Sequence, residues 1–254
     1  MTTHDGNRFE EFFADRAYVT LKNLLYNYRL RKRAVHACRR GLKAGRILEV
    51  GSGLSPMVTD MQDIVYSELS FLALQSLRHS GLQGFYVVAD AMNLPFKPGV
   101  FAQAVCSEVL EHLPEDRLAI GELARVIAGG GSLILTFPHR RDYFSCDDRF
   151  VGHFRRYDLP EMEKALRETG LTPVEIVKVL GPLEKLTMAI VVRMLTLFRQ
   201  GARGAKATTG KGWPLLAPVF KWINRLYCLP IWLDCRLMPR CMAAVLLIRS
   251  VKIG

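Results

Sequence analysis

A glycine bend that follows an acidic strand is the first feature of this chain that could bind a ligand. Residues 47–56 read Ile-Leu-Glu-Val-Gly-Ser-Gly-Leu-Ser-Pro, which predicts an apolar strand entering a tight turn. Glycine adopts backbone angles that other residues avoid, and without a Cβ it lets the chain lie against a ligand. In a doubly wound sheet this turn lies at the carboxyl end of the first strand, where ligands bind. The pattern therefore predicts a nucleotide-binding bend.

The residue at the far side of the bend narrows the choice of nucleotide. A dinucleotide fingerprint needs a glycine three residues after its second glycine, because the pyrophosphate and the next helix approach closely there. Pro56 occupies that position in this chain. An NAD-dependent oxidoreductase remains an alternative, but the bend disfavours it.

Acidic residues also end the next two apolar runs. Glu68 lies 17 residues beyond Gly51, and Asp90 follows the run 85–89. Glu68 could accept both hydroxyls of a ribose, and Asp90 could accept an exocyclic amine. Each carboxylate, Glu49 included, could by itself be a solvated turn residue or a cap of nearby backbone. Three of them at the ends of three successive apolar runs favour an adenosine site.

The order of these motifs resembles that of the class I S-adenosylmethionine-dependent methyltransferases, and within them the branch that acts on small molecules and lipids. The resemblance covers roughly residues 45–180. Its motifs are E-V-G-S-G at 49–53, S-E-L-S at 67–70, A-D-A-M-N-L-P-F at 89–96 and E-V-L-E-H-L-P at 108–114.

This resemblance implies S-adenosyl-L-methionine as the cofactor. It also implies an α/β fold with a doubly wound, seven-stranded, mostly parallel Rossmann-like sheet and an α-helical insertion between strands six and seven. The bend would surround the methionine end, Glu68 would hold the ribose, and Asp90 with Ala91 would read the adenine edge. The implied cofactor-binding residues are Glu49, Gly51, Ser52, Gly53, Glu68, Leu69, Asp90, Ala91, Met92 and Ser107.

Three side chains are candidates for the catalytic step. Methyl transfer from a sulfonium depends mainly on alignment and on exclusion of water, and a base is needed when the acceptor is a hydroxyl or a phenol. His153 and His112 are the first candidates for that base, and Glu108 is the third. Either histidine could instead be structural, His112 as a helix cap and His153 as a satisfied loop residue. A carbon or carboxylate acceptor would need no strong base.

The chain is expected to divide into four segments. They are a helical lead-in over 1–44, the cofactor-binding core over 45–180, a basic helical cap over 181–240 and the last core strand over 241–254. Within the core, Gly129-Gly-Gly131 is expected to end a helix before the fifth strand, at 132–138, and Asp158-Leu-Pro-Glu161 predicts a capping box. The sixth strand is predicted at 173–180. The seventh strand is predicted at 243–251, and the resemblance implies that it lies antiparallel beside the fifth.

Residues 185–254, which comprise most of the insertion and the last strand, carry the net charge of the whole chain. From residue 185 onward there are twelve basic residues and one acid, which equals the formal net charge of +11. Amphipathic helices are predicted at 183–198 and 215–228, joined by a flexible cationic segment at 199–212. Trp and Leu beside Lys and Arg suit the surface of an anionic membrane. The alternative is that these helices only cover the core, and nucleic-acid binding ranks below both.

Composition sets the remaining expectations. None of the six cysteines forms a C-x-x-C pair, so we expect reduced thiols and no metal site. The polar amino terminus does not resemble a signal peptide, which predicts a cytoplasmic protein, peripheral at most on the inner face of a membrane. The sequence thus predicts an S-adenosylmethionine-dependent methyltransferase acting on a small, apolar or lipid-linked acceptor. A non-catalytic nucleotide-binding or scaffold protein on the same fold is the second alternative.

Overall fold

The computed structural model describes residues 25–201 and 213–253. Residues 1–24 of the predicted lead-in, residues 202–212 of the predicted flexible segment and Gly254 lie outside the described residues.

A seven-stranded sheet is formed by the described residues. Its strands are β1 (Ile47–Val50), β2 (Ile64–Glu68), β3 (Phe85–Val88), β4 (Phe101–Ser107), β5 (Ile127–Pro138), β6 (Leu171–Leu180) and β7 (Val245–Lys252). The strand order is β3-β2-β1-β4-β5-β7-β6, and β7 runs antiparallel to β5 and β6 while the other pairs are parallel. The predicted doubly wound, mostly parallel α/β fold is confirmed, including the antiparallel seventh strand.

Helices connect the strands and cover both faces of the sheet. They are α1 (Tyr26–Arg39), α2 (Phe71–His79), α3 (Asp116–Val126), α4 (Cys146–Phe150), α5 (Leu159–Glu168), α6 (Pro182–Gly201) and α7 (Trp213–Leu237), with 3-10 turns at Leu110–His112, Arg141–Tyr143 and Arg240–Met242. Because α6 and α7 lie between β6 and β7, they form the predicted helical insertion. Both are longer than the sequence indicated.

The core has two layers because side chains alternate between the faces of each strand. On one face Leu48 packs in a cluster with Leu123 of α3 and Leu166 of α5. On the other face Ile47 packs in a cluster with Val35 of α1. All five side chains are fully buried. The topological switch point lies between β1 and β4, where the strand order reverses, and open α/β sheets bind ligands at this point.

The glycine run at 129–131 lies inside β5, whereas the sequence placed it before the strand. β4 pairs with Ile127 and next with Ser132, so the glycines form an irregular stretch within β5. A Cβ on Gly131 would lie 2.8 Å from the backbone oxygen of Ala102. The glycine is therefore required by close approach of two strands and does not end the helix.

The capping box predicted at Asp158 is also wrong, although α5 begins next to it. The Asp158 side chain makes no capping hydrogen bond to α5. Its Oδ1 accepts a hydrogen bond from the backbone N–H of Arg141 at 3.3 Å. The carboxylate therefore stabilises a neighbouring loop.

The helical insertion packs on the core through polar and aromatic contacts. Lys185 of α6 donates hydrogen bonds from Nζ to Asp147 at 2.7 and 2.8 Å and to Asp148 at 2.6 Å. Tyr227 of α7 shares a hydrogen bond of 2.7 Å with a hydroxyl of α6 and packs edge-on against Tyr26 of α1. One side of the insertion therefore lies against the sheet and its covering helices.

The opposite side of α7 is apolar and exposed. Its exposed side chains recur every three or four residues and so share one face of the helix, and they are Trp222, Leu226, Leu229, Leu233 and Leu237. Ile231 and Cys235, on the other face, are buried. Among the residues that the structure describes, no helix is both long enough and apolar enough to cross a bilayer.

Candidate active site

Glu49 anchors the loop that follows the glycine bend. Its carboxylate is buried and accepts hydrogen bonds from the backbone N–H groups of Met57 at 2.6 Å and Val58 at 3.0 Å. Burial raises the pKa of Glu49 to about 7, although the two N–H donors act in the opposite direction. The sequence left open that Glu49 caps nearby backbone, and these contacts are such a cap. Glu49 therefore stabilises the loop that follows the glycine bend.

The glycines of the bend have the backbone angles that the sequence predicted. Gly51 has φ +68° and Gly53 has φ +51°. A Cβ on Gly51 would collide with the side chain of Val109, which follows β4. The N–H groups of Gly51 and Ser52 donate to the backbone oxygen of Ser67 at 2.8 and 3.2 Å, which holds the bend against the end of β2.

Glu68 reaches from the end of β2 to this bend. Its Oε2 accepts a hydrogen bond from the Gly53 N–H at 2.9 Å. Its Oε1 accepts from the N–H groups of Leu69 at 2.9 Å and Ser70 at 3.2 Å. Each carboxylate oxygen has two acceptor positions, so one position on Oε2 remains for a hydroxyl of a ligand. The predicted ribose-binding residue and the bend are in direct contact.

Asp90 lies at the end of β3, next to Glu68 along the sheet edge. Its Oδ1 accepts a hydrogen bond from the Met92 N–H at 2.8 Å, and the side chain is half-buried. Ala89 donates its N–H to the backbone oxygen of Glu68 at 3.1 Å, which joins the two strand ends. Ala91 is buried at the turn. Asp90 therefore lies in a hydrogen-bonded turn, at the end of the site where adenine is predicted to bind.

Ser107 lies at the end of β4 in a short chain of hydroxyl and carboxylate contacts. Its Oγ is 2.8 Å from Oγ1 of Thr136 on β5, and Thr136 donates to Oε1 of Glu108 at 3.2 Å. Glu108 has φ +55°, a left-handed conformation that non-glycine residues rarely adopt. Such strain is concentrated at functional sites, and here it turns the chain out of β4 toward the next cluster.

The two candidate histidines lie against each other. The His112 and His153 rings meet edge-to-face with centroids 4.6 Å apart. His112 ends the 3-10 turn that follows Glu108, and His153 lies in the loop after α4. Nδ1 of His153 is 3.0 Å from Oδ1 of Asp148. The structure thus brings together residues that are about 40 positions apart in sequence.

Sequence reasoning missed the charged groups that surround these histidines. Glu111 is fully buried, with its Oε1 3.8 Å from Nε2 of His153. Asp148 accepts from Arg156 at 2.7 Å and Lys185 at 2.6 Å, and its histidine, arginine and lysine partners hold its pKa well below its usual range despite burial. The spacing of Glu108 and Glu111 in the sequence was a signal for Glu111. No local sequence pattern indicates the ion pairs of Asp148.

The row of polar groups suits an elongated nucleoside cofactor. The ends of β3, β2, β1 and β4 carry Asp90, Glu68, the bend and Ser107 in that spatial order. With strands about 4.8 Å apart, the row extends over roughly 14 Å. The hydroxyls of Ser52 and Ser67 are buried at the bend and have no hydrogen-bond partner among the described residues. A bound ligand would satisfy such groups.

Comparison with known sequences gives a family for the central part of the chain. Residues 48–135 match the family described as a methyltransferase domain. The chloroplastic tocopherol O-methyltransferase of Arabidopsis thaliana is 41% identical over 69 residues, which are 27% of this chain and 19% of that protein. The matched part thus spans about a fifth of the length of that curated relative.

Comparison with solved structures extends the likeness to the whole fold. A Haloferax volcanii protein solved with the Trm112 methyltransferase activator has a TM-score of 0.63 at 16% identity, covering 98% of this chain and 99% of its own. Phosphoethanolamine N-methyltransferase 2 of Haemonchus contortus, solved with S-adenosyl-L-methionine, has a TM-score of 0.59 at 16% identity, covering 98% of this chain and 61% of its own. Residues 48–135 thus carry a methyltransferase domain, and the chain shares the fold of these solved structures.

Proposed function

We propose that the protein transfers the methyl group of S-adenosylmethionine to a small acceptor that is apolar or lipid-linked. The observation that carries the proposal is the contact between Glu68 and the glycine bend, with Gly53 N–H 2.9 Å from Oε2. It joins the carboxylate predicted to bind the ribose to a glycine backbone that a ligand could approach closely. The methyltransferase domain match supports the same activity.

The chain's own residues would bind the cofactor along the sheet edge. Gly51 and Gly53 let it approach the backbone, Glu68 accepts from a ribose hydroxyl through Oε2, and Asp90 with Ala91 reads the adenine edge. Ser107 borders the methionine end. The sulfonium of the bound cofactor supplies an electrophilic methyl group, so the protein's main contribution is to align the acceptor and exclude water.

A proton acceptor is required where the acceptor loses a hydroxyl proton. Glu108, His112 and His153 lie together beyond the end of β4, and Glu108 follows Ser107 directly. Within this group, His153 is oriented by Asp148 through Nδ1, which leaves its Nε2 for a second partner. The short similarities to a tocopherol O-methyltransferase and a norajmaline N-methyltransferase support a small-molecule acceptor.

The exposed face of α7 supports delivery of this acceptor from an anionic membrane surface. Its apolar stripe, Trp222 to Leu237, lies opposite the face that packs on the core. Arg225 and Arg236 are exposed beside the stripe, in a region that carries the chain's entire net charge of +11. Aromatic and leucine side chains flanked by cations bind the interface of anionic bilayers.

Calorimetry with S-adenosylhomocysteine tests the cofactor part. We expect wild type to bind and Glu68→Gln to bind at least about tenfold more weakly, because the charge-assisted hydrogen bond to the ribose is lost. Asp63→Asn is the matched control, since Asp63 lies just before the opposite end of β2 and pairs with Arg46 at 2.8 Å. Absence of heat with wild type would overturn the proposal and favour a non-catalytic scaffold.

Transfer of a labelled methyl group tests the acceptor class. The protein is incubated with tritiated S-adenosylmethionine and a cell lipid extract, and label is expected in the organic phase. Label confined to an aqueous metabolite fraction would contradict the apolar acceptor while leaving methyl transfer intact.

Vesicle sedimentation tests the membrane part. We expect binding to vesicles that contain phosphatidylserine and little binding to phosphatidylcholine alone. Trp222→Ser/Leu226→Ser should weaken this binding, whereas Leu118→Ser on α3, an equally exposed leucine, should not. S-adenosylhomocysteine affinity should stay unchanged in both. Equal sedimentation of wild type and the double variant would contradict membrane binding through the exposed face of α7.

A further inference from the structure

A carboxylate and two imidazoles converge beyond the end of β4. Glu111, His112 and His153 each offer one ligand atom, and these atoms all lie within 4.8 Å of one another. Glu111 and His112 are consecutive in the 3-10 turn Leu110–His112, and His153 arrives from the loop after α4. Two separate segments of the chain therefore present metal-binding atoms to one point.

Glu111 is the second observation that points to a ligand. Its side chain is fully buried, and neither carboxylate oxygen has a hydrogen-bond partner among the described residues. The 3.8 Å between its Oε1 and Nε2 of His153 is too long for a hydrogen bond. A buried carboxylate without a hydrogen-bond partner is costly unless a cation or a proton accompanies it.

The surroundings of His153 fix which nitrogen is available. Asp148 is paired with Arg156 and Lys185 and is only a hydrogen-bond acceptor, so Nδ1 of His153 donates its proton to Asp148 over 3.0 Å. In the neutral ring the lone pair of Nε2 then faces Glu111. A carboxylate that orients the far nitrogen of a histidine is the usual support of a metal-binding imidazole.

We propose that Glu111, His112 and His153 bind a divalent transition-metal ion, with Asp148 as the positioning residue of His153. Two imidazole nitrogens and one carboxylate oxygen suit Zn²⁺, Co²⁺ or Fe²⁺, and suit Ca²⁺ or Mg²⁺ poorly. Metal bonds of about 2.1 Å need the ligand atoms to lie roughly 3.4 Å apart, so the cluster would close by about an ångström. Three protein ligands leave a coordination position for water or for a substrate atom.

This inference stands without the proposed methyl transfer. It changes the roles of the candidate bases, since a metal-bound imidazole is no proton acceptor, and it leaves Glu108 as the remaining candidate. It also departs from the expectation of no metal site, which rested on the spacing of the cysteines alone.

Titration of the untagged, chelator-treated full chain with Co²⁺ tests the proposal. Visible ligand-field absorption should saturate at one ion per chain, and Zn²⁺ should remove it. Glu111→Gln and His153→Gln should each weaken Co²⁺ binding at least about a hundredfold, beyond the loss typical of a supporting residue. Asp148→Asn should weaken it less, by about ten- to a hundredfold.

A matched variant and a stability measurement complete the test. Glu115→Gln, an exposed acid in the same loop, should bind Co²⁺ as wild type does. Zn²⁺ should raise the melting temperature of wild type and of Glu115→Gln, and leave that of Glu111→Gln unchanged. Since Gln removes a buried charge, Glu111→Gln should fold, as circular dichroism would report. Saturable binding that survives both Glu111→Gln and His153→Gln, or no binding by wild type, would overturn the site.

Discussion

Gly51 meets two demands at one position, a left-handed backbone and a place without a side chain. We expect Gly51→Ala to lower the free energy of unfolding by more than the roughly 1–2 kcal/mol that a left-handed alanine costs. The excess arises because the new Cβ collides with Val109 and displaces the loop after β4. Urea unfolding measures the stability, and calorimetry should show weaker binding of S-adenosylhomocysteine.

Gly81→Ala separates the two demands. Gly81 has φ +80°, close to the value at Gly51, but nothing lies within 4 Å of the position of its Cβ. Gly81→Ala should lose only the stability that a left-handed alanine costs, and it should keep its affinity for S-adenosylhomocysteine. If both variants lose the same stability and neither loses affinity, the contact with Val109 has no role in shaping the bend.

At the residue scale the sequence predicted which carboxylates lie at the sheet edge, but not what they contact. Glu68 and Asp90 could be placed because the ends of apolar runs mark the ends of parallel strands. The backbone partners of Glu49 could not be placed, since they depend on how residues 54–58 fold back. The pairing of His153 with Glu111 likewise depends on the path of the loop after β5.

Lys185 shows how a charge can join two elements. The sequence treats it as an interruption of an apolar helix, yet its Nζ is buried between Asp147 and Asp148. We expect Lys185→Met to destabilise the protein by about 3 kcal/mol or more, because two buried carboxylates lose a cation that they share. Urea unfolding at neutral pH is the measurement.

Lys164→Met is the control for this change. Its ammonium lies 3.8 Å from Glu168 of the same helix, and both side chains are largely exposed, so the effect should stay below about 0.5 kcal/mol. Equal stability of the two variants would show that the docking of α6 on α4 does not depend on the buried ion pairs.

The junction between β6 and α6 depends on another glycine. A Cβ on Gly181 would collide with the carboxylate of Asp234 on α7, which accepts the Leu183 N–H at 2.9 Å. Gly181→Ala should therefore loosen the contact between the two insertion helices and lower stability by about 1–3 kcal/mol. Gly121→Ala, inside α3 with open space around it, should raise stability by roughly 0.5–1 kcal/mol. Loss of stability in both, measured by thermal unfolding, would contradict this account.

At the element scale, the strands were predictable because each is a continuous apolar run bounded by turn residues. The two features that the sequence misplaced are the glycine run in β5 and the cap at Asp158. At both places a tertiary contact determines the local structure. From the sequence alone, a glycine run predicts the end of a helix, and only the neighbouring strand shows that it lies within β5. Likewise, an acid before Leu-Pro predicts a helix cap, and only the loop at Arg141 shows that Asp158 bonds elsewhere.

For the molecule as a whole, charge and apolar surface are separated along the chain. The part that forms the cofactor edge is balanced in charge, while the insertion carries the excess of basic residues and an exposed apolar stripe. The sequence predicted the charge asymmetry and the two helices. It could not predict which face of α7 packs on the core, because both faces are apolar.

Buried carboxyl groups should make the stability of the molecule depend on pH. Burial raises the pKa values of Glu49 and Glu184 from 4.5 to about 7. Between these values the folded chain holds protons that the unfolded chain has released, so the free energy of unfolding falls as pH rises from about 4.5 to 7. Each group contributes at most about 3 kcal/mol to this fall. His139, whose pKa is lowered by burial, acts in the opposite direction below about pH 6.5.

A variant isolates one of these contributions. Glu184→Gln is the better substitution, because Gln at position 49 would place an amide N–H against a backbone donor. The free energy of unfolding of Glu184→Gln relative to wild type should rise by up to about 3 kcal/mol between pH 5 and pH 8, since only wild type must ionise a buried acid. Glu168→Gln, an exposed acid, should follow wild type at every pH. A constant difference between Glu184→Gln and wild type in urea unfolding across this range would mean that Glu184 is already ionised in the folded chain at pH 5, compensated by Arg156 in the cluster beside α6.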